Sequence, residues 1–244
     1  MKTTINEQSS ECIVLKKNAY KENDCLVHMY SKEYGKISCV AKGIKKLTSK
    51  NARGCQELIL SEMTLNVRKG LSSLIKATPI HYFRHIHEHL ESEIVANYIV
   101  EYYYRYIGEN EPDEECYNQL YYSLKALDEG YSPMLVYLLF NIFILNINGC
   151  MMEVDGCVVC GNTKVVSLSL DDGGFLCETH YKNNIYNVNT LKAFRHLNKI
   201  SIENIDTLRI EDIHIRELAP MIQSFIKESL GIDLKSVYFI EQIY

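Results

Sequence analysis

Residues 57–67, ELILSEMTLNV, alternate apolar and polar side chains with the period of a β-strand. The apolar side consists of Leu58, Leu60, Met63, Leu65 and Val67, and the alternation shifts once between Leu60 and Met63. A single shift of this kind is typical of a β-bulge. The segment therefore predicts a bulged strand with one face in a hydrophobic core.

Four more short apolar runs lie within the first 80 residues, at positions 12–15, 26–30, 37–41 and 73–78. Turn signals separate the runs at residues 21–24, at Tyr34-Gly35 and at Lys69-Gly70. Five short strands in so short a segment favour a small closed barrel such as an OB-fold.

The period changes after His81. Apolar residues and tyrosines repeat at helical spacing over residues 94–106, and residues 111–113 then separate this helix from a second one that is predicted to end near Asp128. Residues 134–148 are apolar on nearly all sides, which indicates a buried central helix. A late helix over residues 218–230 precedes Gly231, a residue typical of a C-cap.

Two matched pairs of metal-ligand residues lie inside this helical part. Cys157 and Cys160 form one pair, and Cys177 and His180 form a second pair with the same spacing, sixteen residues further on. Gly173-Gly174 between the pairs suggests the turn of a short hairpin. Three thiolates and one imidazole at this spacing favour one structural zinc ion in a zinc-ribbon-like module, although four reduced side chains without a metal are the alternative.

These patterns together predict an α+β protein. A five-stranded OB-fold barrel at residues 1–80 is followed by a helical domain at residues 81–244, and that domain contains the zinc-binding insertion at about residues 153–184.

Composition favours a folded protein of the cytoplasm. The first ten residues are polar and lack the apolar core of a signal peptide. The longest apolar run, residues 134–147, is too short to span a bilayer, so we expect no membrane contact. Nine cysteines without an export signal are typical of a reducing compartment.

Charge is distributed unevenly along the chain. Residues 1–80 contain 14 Lys and Arg and 7 Asp and Glu, a net charge of +7, whereas residues 81–244 have a net charge of −12. Within the first part, one stretch without an acidic residue carries six basic side chains: Lys36, Lys42, Lys45, Lys46, Lys50 and Arg53. Such a cluster on a barrel suits DNA phosphates, and exposed tyrosines such as Tyr20, Tyr30, Tyr34 and Tyr82 would stack bases. An ordinary solvated loop is the alternative.

Signs of catalysis are weak. The chain contains none of the common phosphate-loop, zinc-protease, hydrolase or dinucleotide-binding motifs. His81, His85, His87 and His89 crowd one stretch that is either a metal site or, more commonly, a polar helix start. Asp171-Asp172 beside the glycine pair is more typical of a turn than of an acid–base dyad. We therefore expect a protein that is not an enzyme.

The order of several short motifs resembles the RecO family of bacterial DNA repair and recombination mediators. The segments that carry the resemblance are Ile13-Val14-Leu15-Lys16, Glu22-Asn23-Asp24, Tyr34-Gly35-Lys36-Ile37, Ala41-Lys42-Gly43, the cysteine cluster, and the tail 230–236, LGIDLKS. None of these motifs is specific alone, but their order and spacing together cover nearly the whole chain.

The resemblance implies a DNA-binding protein that anneals complementary strands and helps to load RecA onto DNA. The implied partners are single- and double-stranded DNA, RecR, single-strand-binding protein and, indirectly, RecA. The family's DNA-binding residues fall on the six basic residues named above, and its zinc ligands fall on Cys157, Cys160, Cys177 and His180.

Two positions depart from the family pattern. His180 stands where a cysteine is frequent, which histidine can replace as a zinc ligand. Lys21 stands where a glycine is common in the first turn, which changes the turn without changing the fold.

Three hypotheses remain at this point: a DNA-binding recombination mediator, a zinc-containing protein-interaction adaptor without direct DNA binding, and a zinc enzyme. A catalytic zinc keeps one position open for water, whereas four protein ligands fill a tetrahedral site. The resemblance favours the mediator.

Overall fold

The computed structural model describes residues 7–68, 71–182 and 184–243. The chain forms two compact units, Met1–Glu129 and Gly130–Tyr244. The first unit thus contains helices in addition to the segment predicted as a barrel domain, and a domain boundary at residue 80 stays a prediction. The predicted turn at Lys69-Gly70 lies outside the described residues.

A closed five-stranded barrel makes up most of the first unit, in the order β1-β2-β3-β5-β4. All neighbouring strands are antiparallel except β3 and β5, which are parallel. The strands are β1 (Glu7–Ala19), β2 (Cys25–Ser31), β3 (Gly35–Ala41), β4 (Leu60–Asn66) and β5 (Ser72–His81). The predicted fold class, a small barrel followed by a helical region with a cysteine cluster, is confirmed.

Strand β4 carries the predicted irregularity. Its pairing with β5 shifts between Leu60 and Ser61, and again between Thr64 and Leu65. The strand begins at Leu60 instead of residue 57, because Leu58 has a φ of 58° that no regular strand contains. Met63 and Leu65 nevertheless face the barrel core, as the alternation predicts.

Four cysteines help to fill the barrel: Cys12, Cys25, Cys39 and Cys55 are all buried in its core. Burial raises the pKa of both Cys12 and Cys55 to about 12. The thiols of Cys12 and Cys55 are therefore protonated and behave as small apolar side chains.

Among the described residues of the first unit, the barrel is followed by the helices α1 (Arg84–Glu88), α2 (Leu90–Tyr106) and α3 (Glu114–Asp128). Asp113 caps α3 by accepting a hydrogen bond from the Cys116 backbone amide at 2.8 Å. Helix α2 packs on β1 and β2 through aromatic side chains, including an edge-to-face contact between Tyr30 and Tyr103.

The second unit is helical with one small hairpin. Its elements are α4 (Pro133–Ile147), β6 (Val165–Ser169), β7 (Gly174–Cys177), α5 (Val188–Lys199), α6 (Asp212–Leu230) and α7 (Val237–Ile240). Helix α4 is buried on almost every side, and Gly231 caps α6 with a φ of 67°, both as predicted. None of the helices in the described part of the chain combines the length and apolarity of a bilayer span.

Candidate metal centre and nucleic-acid interface

Two tight turns present the predicted metal ligands. In the first turn, the Gly161 amide donates to the Cys157 carbonyl oxygen at 2.7 Å, and the Cys157 amide donates to the Asn162 carbonyl oxygen at 2.9 Å. In the second, the amides of His180 and Tyr181 both donate to the carbonyl oxygen of Cys177. Each turn directs its two ligand side chains toward the other turn.

The four ligand atoms lie within 4.8 Å of one another. His180 Nδ1 is 3.6 Å from Cys157 Sγ and 3.3 Å from Cys177 Sγ, and Cys160 Sγ is 3.8 Å from Cys177 Sγ. A tetrahedral zinc ion with ordinary bond lengths separates two sulfurs by about 3.8 Å and a sulfur from a nitrogen by about 3.5 Å. The cluster therefore already has the dimensions of a site that can hold a metal ion.

Electrostatics within the cluster favour thiolates at Cys157 and Cys177. At Cys160 a backbone hydrogen bond with Asn162 is outweighed by burial and by the two neighbouring sulfurs, which together raise its pKa. Burial raises the pKa of Cys157, but backbone hydrogen bonds at the turns and the contact with His180 outweigh it and lower the pKa to about 6. Burial also raises the pKa of Cys177, but a backbone hydrogen bond at Thr179 and the contact with His180 outweigh it and lower this pKa. Hydrogen bonds to these two cysteines in turn raise the pKa of His180. Thiolates are the form of cysteine that binds metals.

Gly174 holds the first turn against the hairpin. Its φ is 148°, and an added Cβ would lie 2.2 Å from the carbonyl oxygen of Glu153. The Glu153 amide donates to the carbonyl oxygen of Gly173, and the Glu153 carbonyl oxygen accepts from the amide of Phe175. The Val158 amide in turn donates to the carbonyl oxygen of Phe175. Only glycine permits this approach of two backbones.

Ion pairs attach the same turn to α5. Arg195 and Lys199 both contact the carboxylate of Asp155, at 2.8 Å and 2.7 Å. Asp171-Asp172 lies between β6 and β7, where Asp172 accepts hydrogen bonds from Ser169 and Lys182, so the turn interpretation of this pair is confirmed.

Five of the six predicted DNA-binding residues share the connection between β3 and β4. All five are exposed: Lys42, Lys45, Lys46, Lys50 and Arg53. Within the described part of the chain, none of them has a carboxylate at salt-bridge distance. Their charge is thus available to a partner.

Backbone and side-chain hydrogen bonds order this basic connection. Asp24 accepts from the Gly43 amide at 2.8 Å, and the Lys45 amide donates to the Asn23 carbonyl oxygen. The side-chain amide of Asn51 donates to the carbonyl oxygen of Ile75 and accepts from the backbone amide of Ala77, both in β5. Asp24 comes from the same turn in which Lys21 departs from the family pattern, and this turn still anchors the connection.

Lys36 lies apart from the other five. It is 8% exposed, and its Nζ donates to the carbonyl oxygen of Tyr104 in α2 at 3.1 Å. Burial lowers the pKa of its amine. Its sequence position within the basic run gave no signal of this intramolecular partner.

The tyrosines differ in accessibility. Tyr20 is 49% exposed and lies beside Lys21, whereas Tyr30 is completely buried against Tyr103 and cannot stack on a base. The expectation for Tyr30 was therefore wrong, because β2 turns this ring toward α2. Sequence reasoning also missed the contact of Lys16 Nζ with the ring of Tyr104, 4.8 Å from its centroid.

Two family models match consecutive parts of the chain. "Recombination protein O N terminal" matches residues 2–83, and "Recombination protein O C terminal" matches residues 87–237. The chain belongs to the RecO family. The two RecO models together cover both the barrel with its basic connection and the cysteine cluster.

Curated relatives of similar length carry the same family name. A "DNA repair protein RecO" of Thermoanaerobacter sp. (strain X514) is 29% identical over 243 residues, covering 96% of this chain and 97% of the relative. RecO of Bacillus mycoides (strain KBAB4) is 26% identical over 241 residues, covering 97% of each chain. RecO of Listeria monocytogenes serotype 4a (strain HCC23) is also 26% identical, covering 97% of this chain and 94% of the relative.

Proposed function

We propose that this RecO-family protein is a DNA repair and recombination mediator of the RecF pathway. It binds single- and double-stranded DNA, anneals complementary strands, and helps RecR to load RecA onto DNA coated with single-strand-binding protein. It acts without catalysis of its own, in the cytoplasm at the nucleoid.

The basic connection between β3 and β4 is the observation that carries this proposal. Five exposed cations, none with a carboxylate at salt-bridge distance among the described residues, lie on a closed five-stranded barrel, which supports the expected OB-fold. Phosphates displace counterions from such a surface, which favours binding that is sensitive to salt and indifferent to sequence. Lys36 joins the barrel to α2 instead of contacting DNA.

The two parts of the chain divide the partners. The barrel at residues 1–80 binds DNA, and the acidic helical part at residues 81–244 binds the protein partners RecR and single-strand-binding protein. The net charges of +7 and −12 support this division, since a surface of net negative charge repels DNA.

The metal held by Cys157, Cys160, Cys177 and His180 is one structural zinc ion. Four protein ligands close a tetrahedral site, so no position remains for a reacting water. The ion would crosslink the hairpin β6–β7 to the turn at Cys157, and this supports a structural role over the zinc-enzyme alternative.

Annealing of complementary oligonucleotides coated with single-strand-binding protein tests the proposal. The rate is measured without ATP across a salt titration. Acceleration by the wild-type chain is the expected result. If naked DNA is bound but annealing is not accelerated, the protein is a DNA-binding module without the mediator activity. If no DNA is bound at any salt concentration, the adaptor hypothesis replaces the proposal.

A further inference from the structure

A short histidine-rich turn joins the barrel to α2. Helix α1 contains only residues Arg84–Glu88 and lies between two residues of non-helical backbone. Phe83 before it has a left-handed φ of 44°, and His89 after it is extended and serves as the N-cap of α2. The short helix α1 is therefore separated from β5 and from α2 by a change of backbone conformation on each side.

This geometry brings two imidazoles together. The rings of His85 and His89 have centroids 3.9 Å apart and an angle of 36° between their planes. Among the described residues, no hydrogen bond occupies a ring nitrogen of either histidine. Two neighbouring imidazoles with free nitrogens have the capacity to share one cation.

Glu88 supplies a carboxylate at the same place. One ligand atom from each of His85, Glu88 and His89 lies within 4.8 Å of the other two. Metal–nitrogen and metal–oxygen bonds of about 2.0–2.2 Å require ligand atoms about 3.0–3.5 Å apart. Glu88 and His89 are exposed, so their side chains have room to rotate toward these distances.

Asp128, the last residue of α3, fixes the turn without occupying the rings of His85 and His89. Its Oδ1 accepts from the backbone amide of His85 at 2.9 Å, and its Oδ2 contacts His81 Nε2 at 2.7 Å. One carboxylate thus holds the start of α1 and the end of β5. Such backbone support keeps ligands in place and lowers the entropy lost on binding.

We propose that His85, Glu88 and His89 form a second metal site, which binds a divalent transition-metal ion such as Zn²⁺, Ni²⁺ or Cu²⁺. Two imidazoles and one carboxylate suit these ions and lack the thiolates of the cysteine cluster. Three protein ligands on an exposed turn leave positions for water, so the ion exchanges readily. Bound metal would hold the α1–α2 turn in its present geometry.

The test titrates the full-length, untagged chain, already loaded at its cysteine cluster, with Ni²⁺ in a calorimeter. Wild-type protein is expected to bind one further equivalent. His89→Ala should weaken this binding at least about tenfold, since one of three ligands is lost. His87→Ala is the matched control, because His87 is an exposed imidazole of the same helix outside the cluster.

A Cu²⁺ electron paramagnetic resonance spectrum provides a second measurement that does not depend on affinity. Hyperfine coupling to two nitrogens is expected in wild-type and His87→Ala protein, and coupling to one nitrogen in His89→Ala. The proposal is overturned if the wild-type chain binds no further ion at micromolar metal. It is also overturned if His85→Ala/His89→Ala protein, folded by circular dichroism, binds the ion as tightly as the control.

Discussion

The amine of Lys36 donates a hydrogen bond to the carbonyl oxygen of Tyr104 at 3.1 Å, which links β3 to the last turn of α2. The last four carbonyl groups of a helix have no partner within the helix and carry partial negative charge. A cation at this position therefore satisfies a backbone acceptor and interacts favourably with the helix dipole. Lys36 is a residue of the barrel–helix contact, although it begins the basic run in the sequence.

Replacement of this amine separates stability from DNA affinity. We expect Lys36→Met to lower the free energy of unfolding by about 1–3 kcal/mol, because a partly buried carbonyl oxygen loses a charged donor. The dependence of DNA affinity on salt should not change. Lys50→Met is the matched control at an exposed position, and it should leave urea unfolding unchanged. An equal effect of both substitutions on the salt dependence would place Lys36 at the DNA surface.

Charge reversal on the basic connection tests the DNA interface directly. The triple variant Lys42→Glu/Lys45→Glu/Lys46→Glu should bind DNA far more weakly. Its slope of log affinity against log salt should be smaller by roughly 2–3, since each lost phosphate contact removes about 0.7–0.9. Fluorescence anisotropy at several salt concentrations measures both quantities. Lys164→Glu/Arg216→Glu, with two exposed cations of the second unit, is the control. Equal binding by the triple variant would mean that DNA lies elsewhere.

The barrel could be predicted from the sequence because short apolar or alternating segments mark its strands and turn residues separate them. The full length of β1 could not be predicted, because only residues 12–15 of this strand form an apolar run. Its polar first half pairs with β4 while its second half pairs with β2, so one long strand closes the barrel. Partner strands that are distant in sequence decide this extension.

The four residues of the candidate metal centre could be predicted from the sequence because both pairs are local and each turn is formed by its own hydrogen bonds. The basic surface could be predicted only in part. Exposure of a lysine depends on what packs over it, and Lys36 and Tyr104 are 68 residues apart. The burial of Tyr30 could not be predicted for the same reason, because its ring is covered by Tyr103 of α2.

Removal of one thiolate from the cysteine cluster should lead to loss of the bound zinc ion. We expect Cys177→Ser protein to retain less than one equivalent of zinc after dialysis, and to unfold at a lower temperature than the wild type, because binding energy at a structural zinc site is folding energy. Chelation of wild-type zinc should have the same effect on the second unit. Cys150→Ser is the control, as Cys150 lies outside the cluster and should shift stability by no more than about 0.5 kcal/mol. Unchanged thermal stability of metal-free protein would contradict a structural role.

Adjacent glycines in the hairpin should respond differently to alanine. Gly174→Ala places a Cβ against the backbone of Glu153 and should destabilise the second unit by roughly 2 kcal/mol or more. Gly173→Ala meets no atom within 4 Å and should cost only about 1 kcal/mol for its positive φ. Chemical denaturation of zinc-loaded protein measures both. Similar losses in the two variants would show that backbone conformation alone, and not the approach of Glu153, requires glycine here.

The imidazole of His180 should be replaceable by a thiolate but not by a methyl group. Its Nδ1 lies 3.3 Å and 3.6 Å from two sulfurs, distances that a cysteine sulfur with a slightly longer metal bond can reproduce by a small adjustment of the turn. We therefore expect His180→Cys to bind one zinc ion, whereas His180→Ala loses it or binds it much more weakly. With Co²⁺ as the probe, absorption from sulfur-to-metal charge transfer should grow by about one third when the fourth ligand becomes sulfur. If His180→Ala binds Co²⁺ with an unchanged spectrum, histidine is not a ligand, and the site holds its metal with three cysteines and a water.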